Sequence, residues 1–169
     1  LITYHPQPNS LEDGGSSKWF HNDAWLDFNM FQTGHCRENN LWDRMEHVYN
    51  LKPVKPVLDG ETIYEDHPVC FNGTDLGISS AYDVRKHAWI DVFAGAFGHT
   101  YGCHDIWQMY APNRKPLNGP HYPWYEAIDL PGAGQMRYLR YLIESRPMLD
   151  RVPDQTLIMD ALGANDHIQ

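Results

Sequence analysis

Four short apolar runs, each closing on polar side chains and separated by helix-length stretches, constrain what this chain can fold into. The runs are "LITYHP" (residues 1–6), "LDFNMFQ" (26–32), "PVLDGE" (56–61) and "AFGHTY" (96–101). Strand-length runs with such gaps favour parallel strands joined by right-handed crossovers. Apolar positions at 41, 42, 45, 48 and 49 predict an amphipathic helix over 38–51 that stops before Pro53. A second helix is predicted in 78–96, with Ala81, Val84 or Arg85, Ala88, Trp89 and Val92 on one face, Ser79 or Ser80 as N-cap and Gly95 near its end. A last helix is predicted over 132–145, after a long aromatic loop. Residues 7–23 are dense in Pro, Gly, Ser, Asn and Asp and read as a loop.

Strand units with polar C-terminal ends match half of a (β/α)8 barrel, in which the site is built at those ends. An open doubly wound sheet is the competing arrangement, but no glycine-rich phosphate turn follows any strand. "PVL" is then expected to point into the packed barrel layers, with Glu61 at the rim. His5, Gln32 with His35, and His99 with Tyr101 stand at the equivalent ends of the other three strands. A strand-end carboxylate beside aromatic side chains suits a nucleophile or acid/base, and paired carboxylates are the machinery of glycoside hydrolysis. The plainer alternative is that Glu61 caps the next segment while Glu65 and Asp66 are solvated. Arg85 interrupts an apolar helix face and is expected to pair with Glu65 or Asp66.

Composition narrows the partners. A length of 169 residues suits one domain, and a formal charge of −9 repels phosphate backbones, so no nucleic-acid partner is expected. The 6 Trp, 10 Tyr and 10 His favour a surface of flat apolar faces with polar tips, as in a sugar-binding cleft. No apolar run approaches the ~20 residues of a membrane span. The chain opens abruptly on a strand-like run without Met or a leader, so residues upstream of Leu1 are expected. The three cysteines show no CxxC spacing and are expected as buried thiols. The adjacent pairs His35–Cys36 and Cys103–His104 lack the spacing of a zinc site, and no metal or cofactor is expected. A metal-dependent hydrolase would instead require His5, His35, His99 and His104 to converge.

The stretches "LDFNMFQTGH", "KPVLDGETIYE", "DVRKHAWIDVFAGAFGHTYGCHDIWQM" and "RYLIESRPMLDRVPDQTLI" together resemble the apiosidase-like glycoside hydrolases, bacterial enzymes with a (β/α)8 catalytic domain. The resemblance implies an α/β fold of TIM-barrel type, of which residues 1–150 carry the C-terminal half, strands five to eight. Residues 151–169 would then lead toward a C-terminal β-sandwich of collagen-binding type. It further implies a glycosidase acting on a plant or glycan polysaccharide, exported to the periplasm or secreted. Glu61 takes the place of the nucleophile at the end of strand seven, with Glu65 as its fallback. The acid/base carboxylate lies outside this sequence. His5, Gln32, His35, His99, Tyr101 and Trp107 are the expected substrate-binding side chains. The partners expected are a carbohydrate and the remainder of the barrel or another copy of the chain. The alternative is a non-catalytic carbohydrate-binding or scaffold protein of the same fold.

Overall fold

The computed structural model describes residues 1–7, 15–154 and 156. Among them, strands β1 (Asn29–Gln32), β2 (Val57–Glu61) and β3 (Gly98–His99) form one sheet in that order. Both pairings are parallel. The helices are α1 (Ser17–Phe20), α2 (Leu41–Tyr49), α3 (Gly73–Leu76), α4 (Ala81–Phe93), α5 (His104–Trp107), α6 (Trp124–Ala127) and α7 (Pro131–Glu144). Three of the four expected strands therefore form, in the expected order. β3 is two residues long by assignment, yet its hydrogen bonding to β2 runs further, from Phe97 N–H on Val57 C=O to Thr100 N–H on Asp59 C=O.

The expected first strand does not form. Residues 1–6 instead lie against the entry to β1: Asp27 N–H donates to Ile2 C=O at 2.9 Å, and Thr3 Oγ1 donates to Phe28 C=O at 2.6 Å. Further along, the edge of β1 is occupied by a turn. Ser16 N–H donates to Met30 C=O and Ser16 Oγ accepts from Met30 N–H, both at 2.9 Å. Those bonds take the ladder positions a longer strand would have used, and Pro6 has no N–H to extend one.

The pleat explains how the sheet is covered. Phe31 and Val57 face α2, where they pack with Trp42, Met45 and Val48 and with Ala94 and Ala96 beyond α4. The alternation of β2 puts Leu58 on the other face, so "PVL" divides between the two faces rather than filling one barrel interior. α2 buries positions 41, 42, 45 and 48 of its predicted stripe. α4 begins as expected at Ser80, whose N–H and hydroxyl both donate to Asp83 Oδ2. Its sheet-facing side is not a simple apolar stripe, because Asp83, His87 and Asp91 are buried beside Val84, Ala88 and Val92. α7 packs on α4 through Leu139, next to Ala88 and Val92.

Two expectations are corrected by the side chains. Cys36 and Cys70 are not thiols but a disulfide, joining the loop after β1 to the loop after β2 across 34 residues; Cys103 alone is a free, buried thiol. Spacing could not reveal this pair, because its two ends meet only once β1 and β2 lie side by side. Arg85 pairs with neither Glu65 nor Asp66; its guanidinium donates to Gln135 Oε1 of α7 and lies 5.9 Å from the Tyr82 ring.

A bridge closing a loop of this length restricts the unfolded chain, so reduction should lower stability by about 2–4 kcal/mol. Thermal melts of the complete protein with and without reductant, and of a Cys36→Ser/Cys70→Ser variant, should show matching losses. Unaltered melting on reduction would mean that the bridge adds nothing.

Candidate active site

The site begins with a count of residues between β1 and β2. Phe31 pairs with Asp59 and Gln32 with Glu61, so Gly60 is one residue too many and forms a bulge. Glycine leaves room there for the Met30 side chain, whose Sδ would lie 2.6 Å from a Cβ and would have to move for any larger residue. The buried carboxyl of Asp59 holds the bulge. It accepts from Thr33 Oγ1 at 2.6 Å, from Thr33 N–H at 3.4 Å and from Glu61 N–H at 3.3 Å. Glu61 C=O accepts from Gly34 N–H, which ties the loop after β1 to the same point.

Glu61 thus ends β2 with its side chain largely shielded. Its Oε2 lies 3.5 Å from His5 Nε2 and its Oε1 3.6 Å from His35 Nε2, while the Tyr64 hydroxyl lies beside it. Burial, and then the charge of Glu61, raise the Tyr64 phenol well above its ordinary value, so it stays a donor. His35 continues into a stack of rings. Its centroid is 4.5 Å from Tyr64 and 4.1 Å from His67, and His67 is 4.6 Å from His104. His104 lies parallel to the Trp107 ring at 6.3 Å. Burial lowers the pKa of His35, of His67 (to about 4) and of His104, so the three imidazoles are neutral near pH 7.

Of the side chains singled out in the sequence, His5, His35 and Glu61 therefore meet at one point, and Gln32 is the residue paired with Glu61 across the sheet. Trp107, 58% exposed, reaches it through His104 and His67. Glu65, Tyr101 and His99 are placed otherwise. Glu65 is 3% exposed; it accepts from Tyr101 Oη at 2.6 Å and from Gly132 N–H at the start of α7 at 3.1 Å. Its N–H and C=O bond to Gly102 C=O and His104 N–H, both at 2.9 Å. It joins the end of β2, the loop after β3 and α7. His99 turns to α4, its Nδ1 2.8 Å from Asp91 Oδ2. The four histidines of the metal reading do not converge, and among the described residues no group of three or more His, Cys, Asp or Glu is arranged to hold a metal ion.

Sequence reasoning missed Tyr64, His67, Phe71, Asp59 and Asp91. Tyr64 and His67 stand in the same "TIYEDHP" stretch as the carboxylates, and Asp59 interrupts an otherwise apolar strand; those were the available signals. Asp66 is also held, with His121 Nδ1 at 2.8 Å and His121 N–H at 3.2 Å from its carboxylate. Burial, and then the nearby Asp105 charge, raise Asp66 to about 6.

Comparison with known proteins bears on this arrangement. Residues 1–150 match the family described as "Apiosidase-like, catalytic domain", and the chain belongs to that family. A solved structure titled "Glycoside hydrolase" is 42% identical with a TM-score of 0.83, covering 88% of this chain and 37% of its own. A glycoside hydrolase family 5 protein from Bacteroides vulgatus is 39% identical with a TM-score of 0.89, covering 97% of this chain and 38% of its own. The chain thus spans under two fifths of the length of either. No curated protein matches it.

The buried acids give a pH signature with a definite sign. Burial, and then Asp91, raise Asp59 from 3.8 to about 8, and burial raises Asp91 well above its ordinary value. Burial lowers His99 from 6.5 to about 4. Between pH 4 and 6.5 the folded state holds the Asp59 proton but lacks the His99 proton, and the two trends oppose each other. From pH 6.5 to 8 Asp59 acts without that opposition: the fold holds a proton that the unfolded chain lacks, so stability falls as pH rises, by up to about 1.4 kcal/mol per unit. Asp59→Asn should reduce this slope in urea titrations across that range. An unchanged slope would place the titrating group elsewhere.

Proposed function

We propose that this chain belongs to the C-terminal half of a (β/α)8 glycosidase barrel, with β1, β2 and β3 as its strands six, seven and eight, and that Glu61 is its nucleophile. Glu61 at the C-terminal end of β2, enclosed by His5, His35 and Tyr64, is the observation that carries the reading. Membership of the apiosidase-like family and likeness to two glycoside hydrolases support it. The barrel reading is supported by the parallel order of the strands. It is also supported by a cleft of about 490 Å³ beside β3, which has no further strand neighbour among the described residues, lined by Phe97, Met136, Leu139 and Ile143. A further barrel strand would lie there. Residues 1–150 would then be barrel and 151–169 a passage to a further domain; most of that last segment lies outside the described residues.

In this mechanism the Glu61 carboxylate attacks the anomeric carbon of a plant or glycan polysaccharide. The C–O bond to the leaving sugar breaks as an acid residue outside this chain protonates the departing oxygen. Water, deprotonated by that same residue, then releases the sugar from Glu61. Tyr64 and the neutral His35 imidazole hold the attacking oxygens in place, and His5, Gln32 and His35 meet sugar hydroxyls. Glu65 and Tyr101 act on the frame: their bonds fix the loop after β3 and the start of α7, and through them the position of Trp107. The disulfide fits an oxidising compartment, in keeping with export.

In the complete protein, Glu61→Gln should lower turnover on the order of 10⁴- to 10⁶-fold with an unchanged melting temperature, since it keeps shape and loses the attacking charge. Glu65→Gln should lower turnover far less and destabilise the fold. A Glu61→Gln enzyme turning over at parental rates would place the nucleophile elsewhere, whereas a complete parent protein that binds polysaccharide and cleaves none would leave a carbohydrate-binding protein as the better description.

A further inference from the structure

Cys70 and Phe71 both have left-handed backbones, with φ of 51° and 60°. Such a value is an outlier for a bulky residue, and two in succession persist only when the surroundings impose them. The imposing contacts are visible. Cys70 is bonded to Cys36, and its N–H donates to His35 C=O at 2.8 Å. On either side, Phe71 N–H donates to Pro68 C=O and Asn72 N–H to Val69 C=O, both at 2.9 Å. The consequence of this strain is an aromatic ring left in water, since Phe71 is 65% exposed. The ring is nonetheless positioned. It meets His35 at 5.5 Å and 73°, and His67 at 4.8 Å and 87°. His35 is the residue whose Nε2 lies beside Glu61.

A solitary exposed phenylalanine is ordinary on a protein surface. One held out by a strained turn, a disulfide and two imidazoles at a strand-end carboxylate is a built feature. We propose that Phe71 is a stacking platform for a neutral sugar ring bound at the Glu61 site, and that the Cys36–Cys70 disulfide is the positioning device that presents it. The proposal rests on reading this face as a glycosidase site. The C–H face of a pyranose or furanose is flat and apolar, and an open phenyl ring removes it from water without competing for its hydroxyls. Those hydroxyls remain free for His5, Gln32 and His35. The platform therefore contributes binding that is equal in ground and transition states, and no chemistry.

The test uses the complete protein in two arms. In the first, Glu61→Gln protein migrates through native gels containing xyloglucan, arabinoxylan or pectic polysaccharide. Retardation in at least one gel should be lost with Phe71→Ala and kept with Phe71→Tyr, while circular dichroism and melting temperature match the parent. In the second, Phe71→Ala in the otherwise unaltered enzyme should raise KM about five- to tenfold with kcat nearly constant. Cys36→Ser/Cys70→Ser should raise KM comparably, and adding Phe71→Ala to it should change little more. Retardation indifferent to Phe71, absence of retardation in every gel, or a KM unmoved by Phe71→Ala overturns the platform. Phe71-dependent retardation by a protein that hydrolyses none of these polysaccharides overturns the hydrolase reading and leaves the platform standing.

Discussion

The carboxyl of Asp59 takes donors from two strands at once, and the geometry at the strand ends follows from it. Thr33 gives it a hydroxyl and a backbone N–H from beyond β1, and Glu61 gives it an N–H from its own strand. Those three bonds fix Gly60 as the unpaired residue of a bulge and bring Glu61 opposite Gln32. Without the bulge the pairing would slip by one residue, and every later side chain of β2 would exchange faces. A buried acid is a costly way to make a joint in a core. Here burial and the proximity of Asp91 raise its pKa to about 8, so near neutral pH it is chiefly a carboxylic acid rather than an isolated charge.

Beyond the strand ends, short loops are fastened to one another rather than packed over a deep core. The disulfide joins the loops after β1 and β2, Glu65 joins the loop after β2 to that after β3 and to α7, and Asp66 holds His121 of the loop before α6. Each fastening is polar or covalent, and they surround a small apolar cluster of Ile63, Val69 and Val84. Gly132 shows how closely these parts approach: a Cβ there would run into the Glu65 carboxylate.

Much of this was legible in the sequence, and the rest was hidden for definable reasons. The strand order and the helices α2, α4 and α7 follow from periodicity and caps, and those are local signals. Glu61 was legible because it ends an apolar run. The failure of residues 1–6 to form a strand was not, since it depends on Ser16 occupying the edge of β1 from a distance along the chain. Nor was the partner of Tyr101: alternation predicts that a strand-end tyrosine faces the site, but β3 loses its regular ladder at Thr100, and the hydroxyl turns to Glu65. Buried Asp91 and His99 look from sequence like ordinary solvated or strand-end groups. Only the three-dimensional contact between α4 and β3 makes them a pair.

The two glutamates of "DGETIYED" show how environment divides one residue type into two roles. Glu65 accepts from Tyr101 and from the first turn of α7, and is enclosed by them. A carboxylate so bonded and only 3% exposed presents no open oxygen to a ligand, and freeing one would break the contact between β2, β3 and α7. Glu61, four residues earlier, is bounded by His5 and His35 at distances longer than a hydrogen bond and by a single phenol. Its oxygens are oriented but not consumed, which is the condition a nucleophile must meet. The bulge at Gly60 separates the two environments, by ending the ladder between the carboxylate left open and the one that holds the frame.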